Sequence, residues 1–201
     1  MDGQFCGGVL VAPHVVVTVD HCLADRDVST VDVVIGVSNL CSNNAQSERR
    51  GIVEVIYPKA SPHLAYLLLD DLVETAPAEA QPEALDERRG LVVGWGRLSE
   101  TKVGPCLQKK IPMTILSPSE CASELRALGT ETIKGSEYTC AAPAEPSGNN
   151  SCFGDSGGAL LIHTSNQWSV KALTLAGEDC LPTSKTIHRN LVIPQNLADL
   201  S

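Results

Sequence analysis

The stretch Ser151-Cys152-Phe153-Gly154-Asp155-Ser156-Gly157-Gly158-Ala159-Leu160 sets one hydroxyl between a carboxylate and two glycines, just ahead of an apolar run. A serine hydroxyl is a weak nucleophile until a base takes its proton and backbone N–H groups receive the oxyanion that forms. Glycines beside it let a substrate carbonyl approach the main chain and allow conformations closed to other residues. The candidate base is His21, which ends the run Val17-Thr18-Val19-Asp20-His21-Cys22 and is held by a cysteine that can bridge to Cys6. A fixed imidazole near a serine is what nucleophilic catalysis needs. The plain readings of the same residues are a Gly-rich turn before a strand and a surface histidine. A metal reading built on His21, His63 and Asp20 is weak, and no metal or other cofactor is expected.

The elements that would position these groups are strands. Short β-branched runs cover Gly7–Ala12, His14–Val19, Val31–Val37, Ile52–Tyr57 and Leu64–Leu69, with Asn, Ser, Gly and Pro between them. The segment 74–89 is rich in Ala, Pro and Glu and reads as a crossing linker. A second series follows at Leu91–Gly96, Leu107–Ile115, Glu137–Ala142, Gly158–His163, Ser169–Ala176 and Thr186–Ile193. One helix interrupts it. Ser117-Pro118-Ser119-Glu120 is a capping box with proline at the first helical position, and Leu128-Gly129 marks the end.

With 201 residues, 43% of them hydrophobic, the chain can bury a sizeable core. Aromatics are only 3%, so aliphatic side chains must fill that core. A net charge of −9 argues against a nucleic-acid surface. No run is long enough to cross a membrane as a helix. Eight widely spread cysteines without a CxxC pair read as four disulfides in an oxidising, extracellular setting, although Met1–Cys6 has no signal-peptide character.

Three stretches together resemble the chymotrypsin/trypsin family of serine peptidases. They are Cys6–Pro13 with Val17–Cys22, then Val93-Gly94-Trp95-Gly96, then Ser151–Leu160 with Cys180 behind it. The resemblance covers most of residues 5–180 as a single peptidase domain. It implies an all-β fold of two antiparallel six-stranded Greek-key barrels, about 1–73 and 90–201, the first lacking its N-terminal strand. It implies His21 as general base, Ser156 as nucleophile and an oxyanion hole from the N–H groups of Gly154 and Ser156. It suggests the bridges Cys6–Cys22, Cys121–Cys140 and Cys152–Cys180, which leaves Cys41 and Cys106 to join the two lobes. The implied partner is a polypeptide substrate or protein, not nucleic acid or membrane.

Three departures from the family pattern bear on activity. The triad Asp should precede Leu64–Leu69, and His63 stands there, 42 residues after His21 and 93 before Ser156. Asp70 and Asp71 lie roughly 23–26 Å further along at about 3.3 Å per residue. A neutral imidazole can fix the tautomer of His21 but offers no negative charge to an imidazolium. The family also pairs the Asp before its nucleophile, here Asp155, with a freed α-amino group. No segment here supplies that amine, so Asp155 is expected to lack a cation and the oxyanion hole to be poorly formed. Third, the specificity pocket has Asn150 at its base and Gly177 in its wall, beside Leu175 and Ala176. The sequon Asn149-Asn150-Ser151 falls beside it and is read as chance. The expectation is a serine endopeptidase with impaired activity. The alternative is an inactive secreted pseudoprotease that binds or inhibits a partner, as the glucanase-inhibitor proteins do.

Overall fold

The computed structural model describes residues 3–42, 47–81, 88–127, 135–145, 148–164, 167–177 and 179–193. Strands β1 (Val9–Ala12), β2 (Val15–Val19), β3 (Asp32–Ile35), β4 (Glu48–Ile56) and β5 (Leu64–Leu69) form an antiparallel sheet in the order β1-β2-β5-β4-β3. The central strands β2 and β5 are covered on both faces. Val15, Val17, Val19, Leu64 and Tyr66 pack toward Ala159, Val170, Leu173 and Leu191 of the second lobe. Leu10, Val16, Ala65, Leu67 and Leu69 fill the sheet's own core with Ile35 and Val73. Because side chains alternate across a strand, one short apolar run serves both interiors. Each fully buried Val or Leu is worth roughly 1.5–3 kcal/mol, so this seam holds the two lobes in fixed register.

Strands β6 (Arg89–Gly94), β7 (Lys109–Ile115), β8 (Tyr138–Pro143), β9 (Ala159–Thr164), β10 (Gln167–Gly177) and β11 (Thr186–Asn190) close into an antiparallel barrel in the order β10-β11-β8-β7-β6-β9. In β7 the side chains alternate strictly. Ile111, Met113 and Ile115 are buried, and Lys110, Pro112 and Thr114 are exposed. The same alternation turns Lys109 inward.

All eleven expected strands are present, with shifted ends. Leu107 does not open β7 but bridges to Asn39 of the first lobe. The last strand stops at Asn190, and the Val192 carbonyl beyond it accepts the Tyr66 hydroxyl. Helix α1 (Pro118–Ala127) is capped as expected. Ser117 Oγ accepts from the Glu120 N–H at 3.3 Å, and the Glu120 carboxylate accepts from the Ser117 N–H at 2.7 Å. The expected helix end at Leu128-Gly129 lies outside the described residues. Within the linker, Ala78 donates to Leu10 of the first lobe and Gln81 to Val170 of the second, both through backbone N–H groups.

Four disulfides form: Cys6–Cys22, Cys41–Cys106, Cys121–Cys140 and Cys152–Cys180. Cys41–Cys106 joins the lobes, and the backbone bond from Leu40 N–H to Cys106 C=O reinforces it. No helix among the described residues is long and apolar enough to cross a membrane.

Candidate active site

A cleft of about 850 Å³ opens between the lobes, and His21 and Ser156 both line it. His21 sits in a 3₁₀ turn, Asp20–Cys22, directly after β2, and the Cys6–Cys22 bridge ties that turn down. Ser156 sits in the loop before β9. Its carbonyl accepts from the Gly7 N–H at 2.7 Å. Across that contact Gly157, at φ +77°, has no room for a Cβ, which would lie 2.3 Å from Gly7 O. No hydrogen bond joins the His21 ring to Ser156 Oγ among the described residues, and such bonds are often long before substrate binds.

The loop around Ser156 is held by a buried charge pair. Asp155 is fully buried, and its Oδ2 accepts from Lys109 Nζ at 2.6 Å. The same carboxylate accepts the N–H groups of Gly96 at 2.8 Å and Cys152 at 3.0 Å. The expectation that Asp155 would lack a cation is therefore corrected: the inward-facing lysine of β7 supplies one. A Cβ on Gly96 would sit 2.4 Å from Asp155 Cγ, so glycine there makes room for the carboxylate. Burying two charges is costly and is offset only when the pair is close and otherwise hydrogen-bonded. This pair meets both conditions. Gly154 adopts φ +94°, and among the described residues the N–H groups of Gly154 and Ser156 donate to no protein acceptor.

The base side is looser. His63 has φ +67°, a left-handed conformation that His and Asp adopt more readily than most residues. Its Nδ1 stands 3.5 Å from Asp20 Oδ2, with the two side chains 44% and 37% exposed. Asp20 Oδ1 accepts the backbone N–H of His21 at 2.7 Å. His63 is not among the residues lining the cleft. Among the described residues no hydrogen bond runs from its ring to that of His21, and His21, His63 and Asp20 do not form a metal-donor cluster.

The family model described as Trypsin matches residues 1–189. The chain belongs to the trypsin family. It is 31% identical to the serine proteinase stubble of Drosophila melanogaster over 170 residues, 77% of this chain and 21% of that protein. It is 28% identical to ovochymase-2 of Mus musculus over 194 residues, 88% of this chain and 31% of that protein. A trypsin of Saccharopolyspora erythraea is 30% identical over 194 residues, 92% of this chain and 81% of that protein. The chain thus spans between a fifth and a third of the length of the first two relatives.

Within this trypsin-family cleft, Gly177 lines the wall beside the Cys152–Cys180 bridge, but Asn150 does not reach the surface of the cleft. Asn150 is buried behind the wall, its amide donating to the carbonyls of Leu181 at 2.8 Å and Ser184 at 3.0 Å. Its Oδ1 accepts the Ser151 N–H at 2.8 Å, so the side chain is wholly engaged in holding the loop. Asp179, which sequence reasoning did not single out, does line the cleft, with Oδ1 accepting from the Leu181 N–H at 2.8 Å. Arg189 was also missed. It is 2% exposed, stacks over Tyr138, and donates to the carbonyls of Glu137 at 2.7 Å and Pro62 at 2.9 Å, one residue before His63.

Proposed function

We propose that the chain is a serine endopeptidase of reduced turnover acting on extracellular polypeptides. The observation that carries this reading is the placement of His21 and Ser156 in one cleft with two undonated N–H groups beside the serine. In this reading Ser156 Oγ attacks the scissile carbonyl and His21 takes its proton. The N–H groups of Gly154 and Ser156 receive the oxyanion, and His21 then protonates the leaving amine. Gly177 offers its backbone to the substrate strand. His63 stands in for the carboxylate without its charge. In a triad of this kind, replacing the Asp by an amide lowers turnover by about 10⁴-fold, which sets the scale of the deficit. The four disulfides fit a secreted chain.

A second reading is favoured by one observation: His63 faces Asp20 and stays off the cleft wall. Here the fold is a binding surface and the serine is idle. A fluorophosphonate probe at pH 8, with Ser156→Ala as control, separates the two. The peptidase reading predicts one adduct on the peptide containing Ser156, absent from the control. A folded, disulfide-intact wild type that takes no label, or a control that labels equally, overturns it.

A further inference from the structure

We propose that the cleft selects acidic polypeptide segments, with Arg26 and Arg97 as the residues that receive Asp or Glu side chains. The proposal deepens the reading of the cleft as a polypeptide site and rests on it. Both arginines line the cleft, and they come from different lobes: Arg26 follows the turn that carries His21, and Arg97 follows β6. Each lies over an aromatic ring of the same cleft. Arg26 Cζ is 3.7 Å from the Phe5 ring centroid, and Arg97 Cζ is 5.8 Å from that of Phe153. The two rings are drawn together around Gly154. The Gln4 side-chain amide, beside Phe5, donates to the Gly154 carbonyl at 2.8 Å, and the Arg97 N–H donates to the Phe153 carbonyl at 2.8 Å. The two cations are therefore both tied to the loop that carries Ser156.

A guanidinium is planar and carries its N–H donors at its edge, so a ring on its face leaves those donors open to a carboxylate. Among the described residues no ion pair joins Arg26 or Arg97 to a carboxylate. Arg49, Arg50, Arg88 and Arg189, by contrast, pair with Asp32, Glu48, Glu120 and Glu137. Two carboxylates line the cleft as well, and neither neutralises these arginines. Asp179 Oδ1 takes the Leu181 N–H and the Ser184 hydroxyl, and Glu100 meets Arg97 through its backbone carbonyl, 3.2 Å from Nη1. Val103 and Phe153, 81% and 64% exposed, add apolar surface for the methylenes of an incoming side chain. The chain carries a net charge of −9, so its surface elsewhere discourages acidic segments and the complementarity is concentrated in this cleft.

The test is affinity selection of a randomised octapeptide library on three immobilised chains, each checked for folding and disulfides. The first is Ser156→Ala, which binds without cleaving. The second adds Arg26→Gln/Arg97→Gln. The third adds Arg49→Gln/Arg88→Gln instead, which removes the same charge outside the cleft. All four arginines are exposed or on exposed ion pairs, so the variants are expected to fold. Ser156→Ala is expected to enrich Asp and Glu over Asn and Gln by about tenfold, as charge-assisted bonds to arginine are about twice as strong as neutral ones. Loss of Arg26 and Arg97 is expected to reduce the enrichment to below about twofold, while the control retains it. Absence of acidic enrichment overturns the proposal. So does enrichment that survives the loss of both cleft arginines, or that falls equally in the control. Tighter binding of a heparin hexasaccharide than of the selected peptides would assign the arginines to a sulfated polysaccharide and also overturn it. Fluorophosphonate labelling of the wild type keeps the two readings apart. Acid-selective binding by a chain whose Ser156 takes no label defeats the peptidase reading and leaves this proposal standing, and a labelled Ser156 with no acidic selection does the reverse.

Discussion

Two carboxylate contacts flank the cleft, and they differ in character. On the nucleophile wall, Lys109 and Asp155 meet at 2.6 Å with side chains 6% and 0% exposed. On the base wall, His63 and Asp20 stand 3.5 Å apart and are 44% and 37% exposed. At about 4 Å, a unit charge pair gains about 1 kcal/mol in water and about 4 kcal/mol at the effective dielectric typical of a protein. The enclosed pair can therefore hold a loop, and the exposed pair holds a side chain only weakly. The loop that carries Ser156 is thus braced from within the barrel, while the His63–Asp20 contact lies open to solvent. The Gly-Asp-Ser-Gly-Gly loop and the His63 turn are held by different elements, with different enclosure.

That contrast can be broken or sharpened by substitution. The largest effect is expected from His63→Asp, which places a carboxylate at a φ that Asp tolerates. Peptide hydrolysis, read as kcat/KM, is expected to rise between about 10²- and 10⁴-fold, up to about 5.5 kcal/mol of transition-state stabilisation. Next comes Arg189→Met. It removes a buried guanidinium and leaves the partly exposed carbonyls of Pro62 and Glu137 without their donor, and urea denaturation should show a loss of about 1–2 kcal/mol. A loss within error would show that the seam beneath His63 is held by apolar contacts alone.

The third effect is on pH dependence. His188 is buried among strands of the second barrel, between the hydroxyls of Thr186 at 2.8 Å and Thr174 at 3.4 Å. Burial pushes its pKa from 6.5 down to about 3. The unfolded chain takes up this proton as the pH falls below about 6.5, and the folded chain does not until about 3. Its contribution is therefore fully present above 6.5 and declines on acidification through that window, by about 1.4 kcal/mol per pH unit. Urea titrations of wild type against His188→Gln should differ by that slope between pH 6 and 4, and parallel curves would contradict it. The smallest effect is expected from Asp20→Asn. Exposed pairs contribute about 0–1 kcal/mol, so both stability and labelling rate should change little, by less than about threefold in rate. A drop above tenfold would move Asp20 into the catalytic machinery and erase the contrast between the walls.

Much of this was readable in the chain. β-branched runs located every strand because the core is aliphatic, and the capping box located the helix start because its bonds are local. The ends of strands were less legible because they depend on partners. Leu107 extends β7 in composition, yet in space it pairs with Asn39. Lys109 was within reach of the same reasoning. Once Ile111, Met113 and Ile115 share the inner face, period two puts Lys109 there as well. The contact of Asp20 with His63 is not legible in the sequence for a different reason. Its reach to His63 depends on the backbone bond from its own N–H to the His63 carbonyl at 3.2 Å, a contact across the sheet that sequence neighbours do not announce. The amide of Asn150 faces two carbonyls behind the wall, a direction that position in the sequence does not fix.

The most direct test of a complete oxyanion half beside a weak base half is the rate of fluorophosphonate labelling of Ser156 in wild type and His63→Asp, measured side by side at pH 8. The account predicts labelling of both at Ser156, at least 100-fold faster in the variant. A folded His63→Asp chain that remains unlabelled would contradict it, because a restored carboxylate would then have met an oxyanion loop that was never ready.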